Sequence, residues 1–333
     1  MRLGLIGAGA IARRHLDVLQ RHNDAAVTVV CDVDQARAQE LALSVGARAV
    51  TDWAELVGAP DVDAVVVCTP PTAHAGPACA ALERGLPVYL EKPLARSAQD
   101  GDRIVEAWRR SEAVCAVGYQ WRSLEIVARA REALGGEPPG MLVSRGFGPT
   151  EPGRADLTGA AGSWFADRQA SGGILFELAS HDIDLQVSLA GPAARVSASA
   201  GRGLLALRGR DDLDLDDSIA VMIEYASGAI GIIAVAWNPA ANPPTYTLDV
   251  QAAAGAVHLE LDPAFRLTGT AHGSSIDVRE AADPRRSSIE RFLAAAQSGD
   301  ASTVSCSPAD ALDTLLAALA AERAVATGEG VTV

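Results

Sequence analysis

The strongest constraint on this chain lies in its first dozen residues. An apolar run, Leu3-Gly-Leu-Ile6, leads straight into Gly7-Ala-Gly9-Ala-Ile-Ala12 and on into a helical pattern near 10–21. A strand, a GxGxxA turn and a helix in that order suit few architectures. The first glycine permits the tight turn, the second lets backbone approach a pyrophosphate, and the small third residue lets helix pack on strand. The helix N-terminus then offers its unbonded N–H groups to the anion. Asp32 ends the next apolar run, Val27-Thr-Val-Val-Cys31, twenty residues after Ala12. A carboxylate there accepts hydrogen bonds from the adenosine ribose and repels a 2′-phosphate. The pattern predicts a dinucleotide site lined by Gly7, Gly9, Ala10, Ile11 and Asp32, with NAD rather than NADP as cofactor. The competing reading is an ordinary glycine turn followed by a capping Asp. Arg2 and the apolar stretch to Ala12 also resemble a short signal peptide, but Gly4, Gly7 and Gly9 interrupt it.

Two rhythms divide the chain. Up to about residue 118, the apolar runs at 3–6, 27–31, 62–68, 88–90 and 114–117 alternate with helical patterns near 10–21, 34–45, 73–84 and 97–110. Near-continuous apolar strands separated by helices predict a parallel sheet covered on both faces, a Rossmann domain over 1–118. Beyond, Gly/Pro-rich stretches at 135–140 and 148–153 read as connectors, and one long helix is expected from about 172 to 190. Strands follow near 194–200, 217–225, 229–237, 245–252, 256–261 and 274–279, with Gly228 at a hairpin, then helices near 286–298 and 308–327. Consecutive strands with short turns predict an open, mostly antiparallel sheet in a second α/β domain spanning 119–333. The Asp-rich stretch 211–217 reads as a solvated loop.

Composition narrows the partners. A formal charge of −14 repels phosphate backbones and sets against nucleic acid. No apolar run reaches bilayer-spanning length, so no membrane partner is expected. Cys31, Cys68, Cys79, Cys115 and Cys306 are an odd count without a CxxC pair. They read as free thiols, with Cys31, Cys68 and Cys115 in strands, in a reducing, cytoplasmic setting.

Three further stretches carry a resemblance: Cys68-Thr-Pro-Pro-Thr-Ala-His74, Glu91-Lys-Pro93 and Ser171-Gly-Gly-Ile-Leu-Phe-Glu-Leu-Ala-Ser-His181-Asp-Ile-Asp184. With Val117-Gly-Tyr-Gln-Trp-Arg122 and the terminal Val331-Thr-Val333, they resemble the Gfo/Idh/MocA family, the glucose–fructose oxidoreductase and inositol dehydrogenase type, over essentially the whole chain. The resemblance implies a Rossmann domain followed by an α/β domain on an open sheet. It also implies oxidation of a secondary alcohol on a sugar, inositol or related polyol, and a homo-oligomer, dimer or tetramer, formed through the outer face of the second sheet.

That chemistry moves a hydride to nicotinamide and needs an acceptor for the hydroxyl proton. By the resemblance, Lys92 hydrogen-bonds the reacting hydroxyl and His181 takes its proton. Glu177 lies four residues before His181, on the same helical face, where it can orient the ring, and Asp184 extends that stripe. Two departures stand out: Glu177 replaces the family's usual Asp and Ala179 its usual Gly. Thr69, Pro70, His74, Glu91 and Gln120 match family positions lining the cofactor. Arg122 is expected beside substrate or as an anchor at the domain seam, and Trp164 against a sugar face or within a core. A surface Lys92, a helix-surface ion pair at Glu177–His181 and a Glu/His/Asp metal cluster are the alternatives; no metal is expected. At the level of function, the alternatives are a glycoside hydrolase that cycles its NAD and a non-catalytic NAD-binding regulator.

Overall fold

A computed structural model describes residues 1–148, 163–206, 214–238 and 244–333. The chain forms two units. The first comprises Met1–Gln120 and Asp283–Leu312, the second Trp121–Ala282 and Asp313–Val333.

In the first unit, β1 (Arg2–Ile6), β2 (Ala26–Cys31), β3 (Arg48–Val50), β4 (Ala64–Val67), β5 (Val88–Leu90) and β6 (Cys115–Val117) make one parallel sheet in the order β3-β2-β1-β4-β5-β6. All four residues of β4 are buried, as sheet covered on both faces requires. The order reverses beside β1, which puts a crevice at the carboxyl ends of β1 and β4, where ligands of such sheets bind. Observed helices at Ala10–Leu19, Gln35–Val45, Ala75–Glu83 and Ala98–Ser111 fall on the expected ones. Asp34 caps the second by accepting the Ala36 and Arg37 N–H groups, and Ser97 caps the fourth.

The first crossing between units falls two residues beyond the expected 118, and the return at 283 has no counterpart in the sequence reading. Helix Pro284–Ser298 places Ile289, Phe292 and Leu293, spaced to share one face, in the same core as Leu16, Leu19 and Tyr89.

In the second unit, strands β7 (Met141–Gly148), β8 (Ala193–Gly201), β9 (Ser218–Tyr225), β10 (Ile230–Trp237), β11 (Thr245–Ala252), β12 (Gly255–Asp262), β13 (Phe265–Ala271), β14 (Ser274–Glu280) and β15 (Val331–Thr332) form a second sheet. Its order is β14-β13-β12-β11-β7-β10-β9-β8-β15, antiparallel except where β7 pairs with β10. The expected hairpin joins β9 to β10 through Gly228, whose φ of +88° suits glycine. β7 was not foreseen: it lies between the two stretches read as connectors, and Gly146 and Gly148 interrupt its apolar alternation. The two glycines serve Tyr246: a Cβ on Gly146 would lie 2.9 Å from that ring.

Burial alternates along β7, β9 and β10. One face carries Ser144, Ile233 and Val235 inward. The other leaves Met141, Phe147, Met222 and Ile232 exposed. Under the inner face, Gln186 Nε2 donates to Ser144 Oγ (2.8 Å) and the Ile232 carbonyl (3.1 Å), and the Tyr225 hydroxyl donates to Gln186 Oε1 (3.1 Å).

All five cysteines are buried and free. One expectation needs correction: Ala301–Thr327 is long and apolar enough by composition to cross a membrane, although half of its apolar window is buried inside the protein. Asp310, Asp313 and Glu322 hide its length from a search for unbroken apolar runs, whereas its many alanines raise the average. The expected connector at 148–153 lies almost wholly outside the described residues. So does the start of the stretch 211–217, of which Asp216 bonds Arg168 (2.8 Å) and Arg202 (3.2 Å).

Candidate active site

The nucleotide end is built from strand termini of the first sheet. Gly7 leaves β1 with φ +94°, and a Cβ on it would lie 2.6 Å from the Cys68 carbonyl oxygen. Only glycine suits that close crossing of β1 and β4. Gly9 precedes helix Ala10–Leu19, and a Cβ there would meet nothing within 4 Å. Open space over the second glycine, at a helix N-terminus, is the cradle a pyrophosphate needs. Ala10 is exposed and Ile11 half-buried at this end. Thr69, just past β4, holds a buried Oγ1 with no hydrogen-bond partner, a polar group left for a ligand. These features fit NAD.

Asp32 is latched to the turn. Its Oδ2 accepts the Ala8 N–H (2.8 Å), and its Oδ1 accepts from the Asp34 N–H (2.9 Å) and Arg37 Nη2 (2.8 Å). Burial pushes this carboxyl up, but the two N–H bonds and the arginine outweigh it and hold it below its ordinary range. Beside it Val33 is 88% exposed, an apolar side chain offered to solvent.

His74 and Glu91 are both buried. The His74 ring is fully buried, with Nε2 2.9 Å from the Thr69 carbonyl and Nδ1 3.3 Å from that of Leu94. Burial pushes its pKa down, so the ring is neutral and its single N–H donates to one of the two carbonyls, the nearer being that of Thr69 after β4. Glu91, 8% exposed, turns inward to His15. Pro70 precedes the short 3₁₀ turn Pro71–Ala73, and Gln120 opens the turn Gln120–Ser123. Lys92 follows β5, half-buried, its N–H donated to Glu91 Oε2 (3.1 Å) and its bond to Pro93 cis.

The second unit carries His181. The expected single helix is interrupted: Leu175–Ala179 forms a π-helical turn, and Ser180–Ala190 continues as α-helix. Glu177 sits in the π turn and His181 at the start of the α segment, both half-buried. The widened turn ends where the Ser180 hydroxyl donates to the Phe176 carbonyl (2.6 Å), and such turns recur at functional positions. The His181 ring lies 5.2 Å from that of Trp121, which in turn is 5.8 Å from Tyr246.

Arg122 and Asp184 have found each other. The guanidinium donates through Nε and Nη2 to the two carboxylate oxygens, both at 2.8 Å, with side chains 7% and 2% exposed. Thr314 Oγ1 adds a bond to Asp184 (3.1 Å). Asp184 therefore braces the helix from within rather than extending a stripe with Glu177 and His181. Among the described residues no His, Cys, Asp or Glu cluster is disposed to hold a metal. Trp164 is half-buried on the short helix Ser163–Ala166.

Sequence reasoning passed over Trp121, Tyr246 and Asp182. Asp182, 1% exposed beside His181, has an Oδ2 without a partner, and burial raises its carboxyl to about 7, against the bond from Ser144. Its adjacency to His181 was the only signal.

A parallel sheet with a glycine turn at its switch point, followed by a mixed sheet and a histidine-bearing helix, defines a nicotinamide-dependent oxidoreductase. The chain belongs to the Gfo/Idh/MocA family: residues 1–119 match its oxidoreductase, NAD-binding Rossmann domain and residues 145–270 its C-terminal domain. It is 27% identical to the myo-inositol 2-dehydrogenase of Thermotoga maritima over 70% of this chain and 67% of that protein. A solved structure of GenD2 from gentamicin A biosynthesis, in complex with NAD, is 25% identical with a TM-score of 0.78, covering 100% of this chain and 96% of that one. Levoglucosan dehydrogenase, solved with NADH and L-sorbose, shares the fold with a TM-score of 0.83 at 21% identity, over 100% of this chain and 98% of that one.

Proposed function

We propose that this oxidoreductase takes a hydride from a secondary alcohol of a sugar, inositol or related polyol, with NAD rather than NADP as acceptor. The observation that carries the cofactor choice is the Asp32 carboxylate, kept anionic beside the glycine turn, where a 2′-phosphate would meet its charge. The substrate class rests on relatives named for myo-inositol and levoglucosan. NAD supplies the hydride acceptor. Lys92 donates a hydrogen bond to the reacting hydroxyl and stabilises the alkoxide as it forms. His181 takes the hydroxyl proton, and Glu177, within reach along the helix, orients the ring. Asp184 and Arg122 hold that helix in place, and Trp164 offers a ring to a sugar face.

The exposed Met141, Phe147, Met222 and Ile232, on neighbouring strands of one sheet face, support a homo-oligomer closing over that face. Five buried, unpaired thiols support a reducing, cytoplasmic setting.

The test is NADH formation with NAD, and separately NADPH formation with NADP, across inositols, aldoses and sugar acids. Turnover on one substrate class, with Lys92→Ala and His181→Ala each lowering kcat/KM by about 10²–10⁴-fold, is the expected result. Turnover indifferent to both substitutions would overturn the assignment.

A further inference from the structure

Helix Ala10–Leu19 and the turn after β5 are joined inside the first unit by a contact that the reaction above does not use. His15, on that helix, is 1% exposed, and its Nε2 lies 2.5 Å from Glu91 Oε1. Its Nδ1 is buried without a hydrogen-bond partner. A buried bare lone pair costs less than a buried bare N–H, so Nε2 carries the proton and donates it to Glu91. The other carboxylate oxygen, Oε2, accepts the backbone N–H of Lys92 at 3.1 Å.

The carboxylate is boxed in. Tyr89 sets its ring edge against His15 at 5.3 Å and shares a hydrogen bond with Ser288 (3.1 Å). Gly118 closes another side: a Cβ there would stand 3.2 Å from Oε1 and 3.3 Å from Oε2. The Cys68 thiol, the His74 ring, the Tyr89 hydroxyl and the Lys92 ammonium are the other titratable groups that face it. Burial works to raise this carboxyl, but the His15 bond, the Lys92 charge and the Lys92 N–H outweigh it and hold it below its ordinary range.

We propose that His15 and Glu91 are a positioning pair for Lys92. The carboxylate grips the backbone from which the lysine side chain springs, and the histidine grips the carboxylate from the helix that follows the glycine turn. Neither touches the reacting hydroxyl. A lysine side chain has many rotamers, so holding its root narrows where the ammonium can reach, and misplacement by about 1 Å costs rate steeply. The proposal rests on the reading of Lys92 as the residue that meets the hydroxyl. It also moves Glu91 from the cofactor's wall to the lysine's support.

The experiment reads two quantities in His15→Leu, His15→Gln and Gly118→Ala: amide hydrogen exchange at Lys92 in the protein without cofactor, and kcat with KM for NAD. Losing the bond in His15→Leu is expected to speed exchange at Lys92 about tenfold and lower kcat about tenfold. KM for NAD should stay within about twofold. His15→Gln, which can still donate to Oε1, should restore both readouts. Gly118→Ala, which crowds the carboxylate without removing a polar group, should give the same changes more mildly. Should His15→Leu not fold, Gly118→Ala against His15→Gln makes the same comparison. Lys92 exchange and kcat at wild-type values in Gly118→Ala and His15→Leu would overturn the proposal. So would equal loss of kcat in all three with the Lys92 amide still protected. If no polyol is turned over by the wild type, the reaction reading fails by itself, while exchange at Lys92 still decides whether the pair holds it.

Discussion

The nucleotide end of the first unit and the His181 helix of the second are held by different means. Around the glycine turn, side chains are tied mostly to backbone: Asp32 to the Ala8 and Asp34 N–H groups, His74 to the Thr69 carbonyl and Glu91 to the Lys92 N–H, with Arg37 and His15 as the side-chain partners of the two carboxylates. Around His181, side chains are tied to side chains: Arg122 to Asp184, Gln186 to Ser144 and Tyr225, Trp121 against His181 and Tyr246. Backbone partners depend little on neighbouring residue identity, whereas side-chain partners change when a neighbour is replaced. On the proposed reading, the first scheme serves the cofactor and the second the substrate.

If that contrast is right, the largest loss of stability comes from breaking a side-chain pair. Arg122→Ala leaves Asp184 buried with Thr314 as its remaining partner among these two, at an expected cost of about 3–5 kcal/mol. The midpoint of denaturant unfolding measures it; a cost below about 1 kcal/mol would mean the pair does not brace the helix.

Asp182 sharpens the contrast through pH. Its carboxyl, raised by burial from 3.8 to about 7, keeps a proton in the folded chain that the unfolded chain releases. Stability from this group is therefore full below the unfolded value and is lost as pH rises towards 7, then level above it. The loss is about 4 kcal/mol. Asp182→Asn, which carries no titrating proton, should flatten that slope in melting curves taken across the range. An unchanged slope would place the titrating group elsewhere.

The smallest effect belongs to the backbone-tied end. On the proposed reading, Asp32→Ala should weaken NAD binding by about tenfold and shift selectivity towards NADP, since Arg37 is released from Asp32 and a negative charge leaves the crevice. The turn itself should persist, with little change in melting temperature. Calorimetric titration with both nucleotides makes the comparison.

Legibility in the sequence followed the same divide. Val62 to Cys68 announces a doubly covered strand because nearly every side chain is apolar, and Gly7, Gly9 and Asp32 announce their own backbone requirements. β3 escaped notice because three residues at a sheet edge carry no measurable periodicity. β7 was hidden by Gly146 and Gly148, whose purpose becomes visible only once Tyr246, a hundred positions away, is folded beside them. Leu175-Phe-Glu-Leu-Ala179 is ordinary helix-forming sequence, and nothing in it distinguishes a π turn from an α turn. Ile289, Phe292 and Leu293 marked a helix face but not which core would receive it. His74 and Glu91 were legible as important positions, yet their inward orientation depends on partners no spacing rule names.

The five thiols have a consequence for how this molecule can be watched. Cys31, Cys68, Cys79, Cys115 and Cys306 all belong to the first unit and all are buried. Burial pushes the Cys31 thiol up to about 12, with Asp32 adding to it, and raises the others that sit in or beside strands, so the nucleophilic thiolate is scarce as well as hidden. An alkylating reagent can reach them only when the surrounding structure opens. Its uptake is therefore a clock for openings of the nucleotide-binding unit alone, silent about the cysteine-free unit that carries His181.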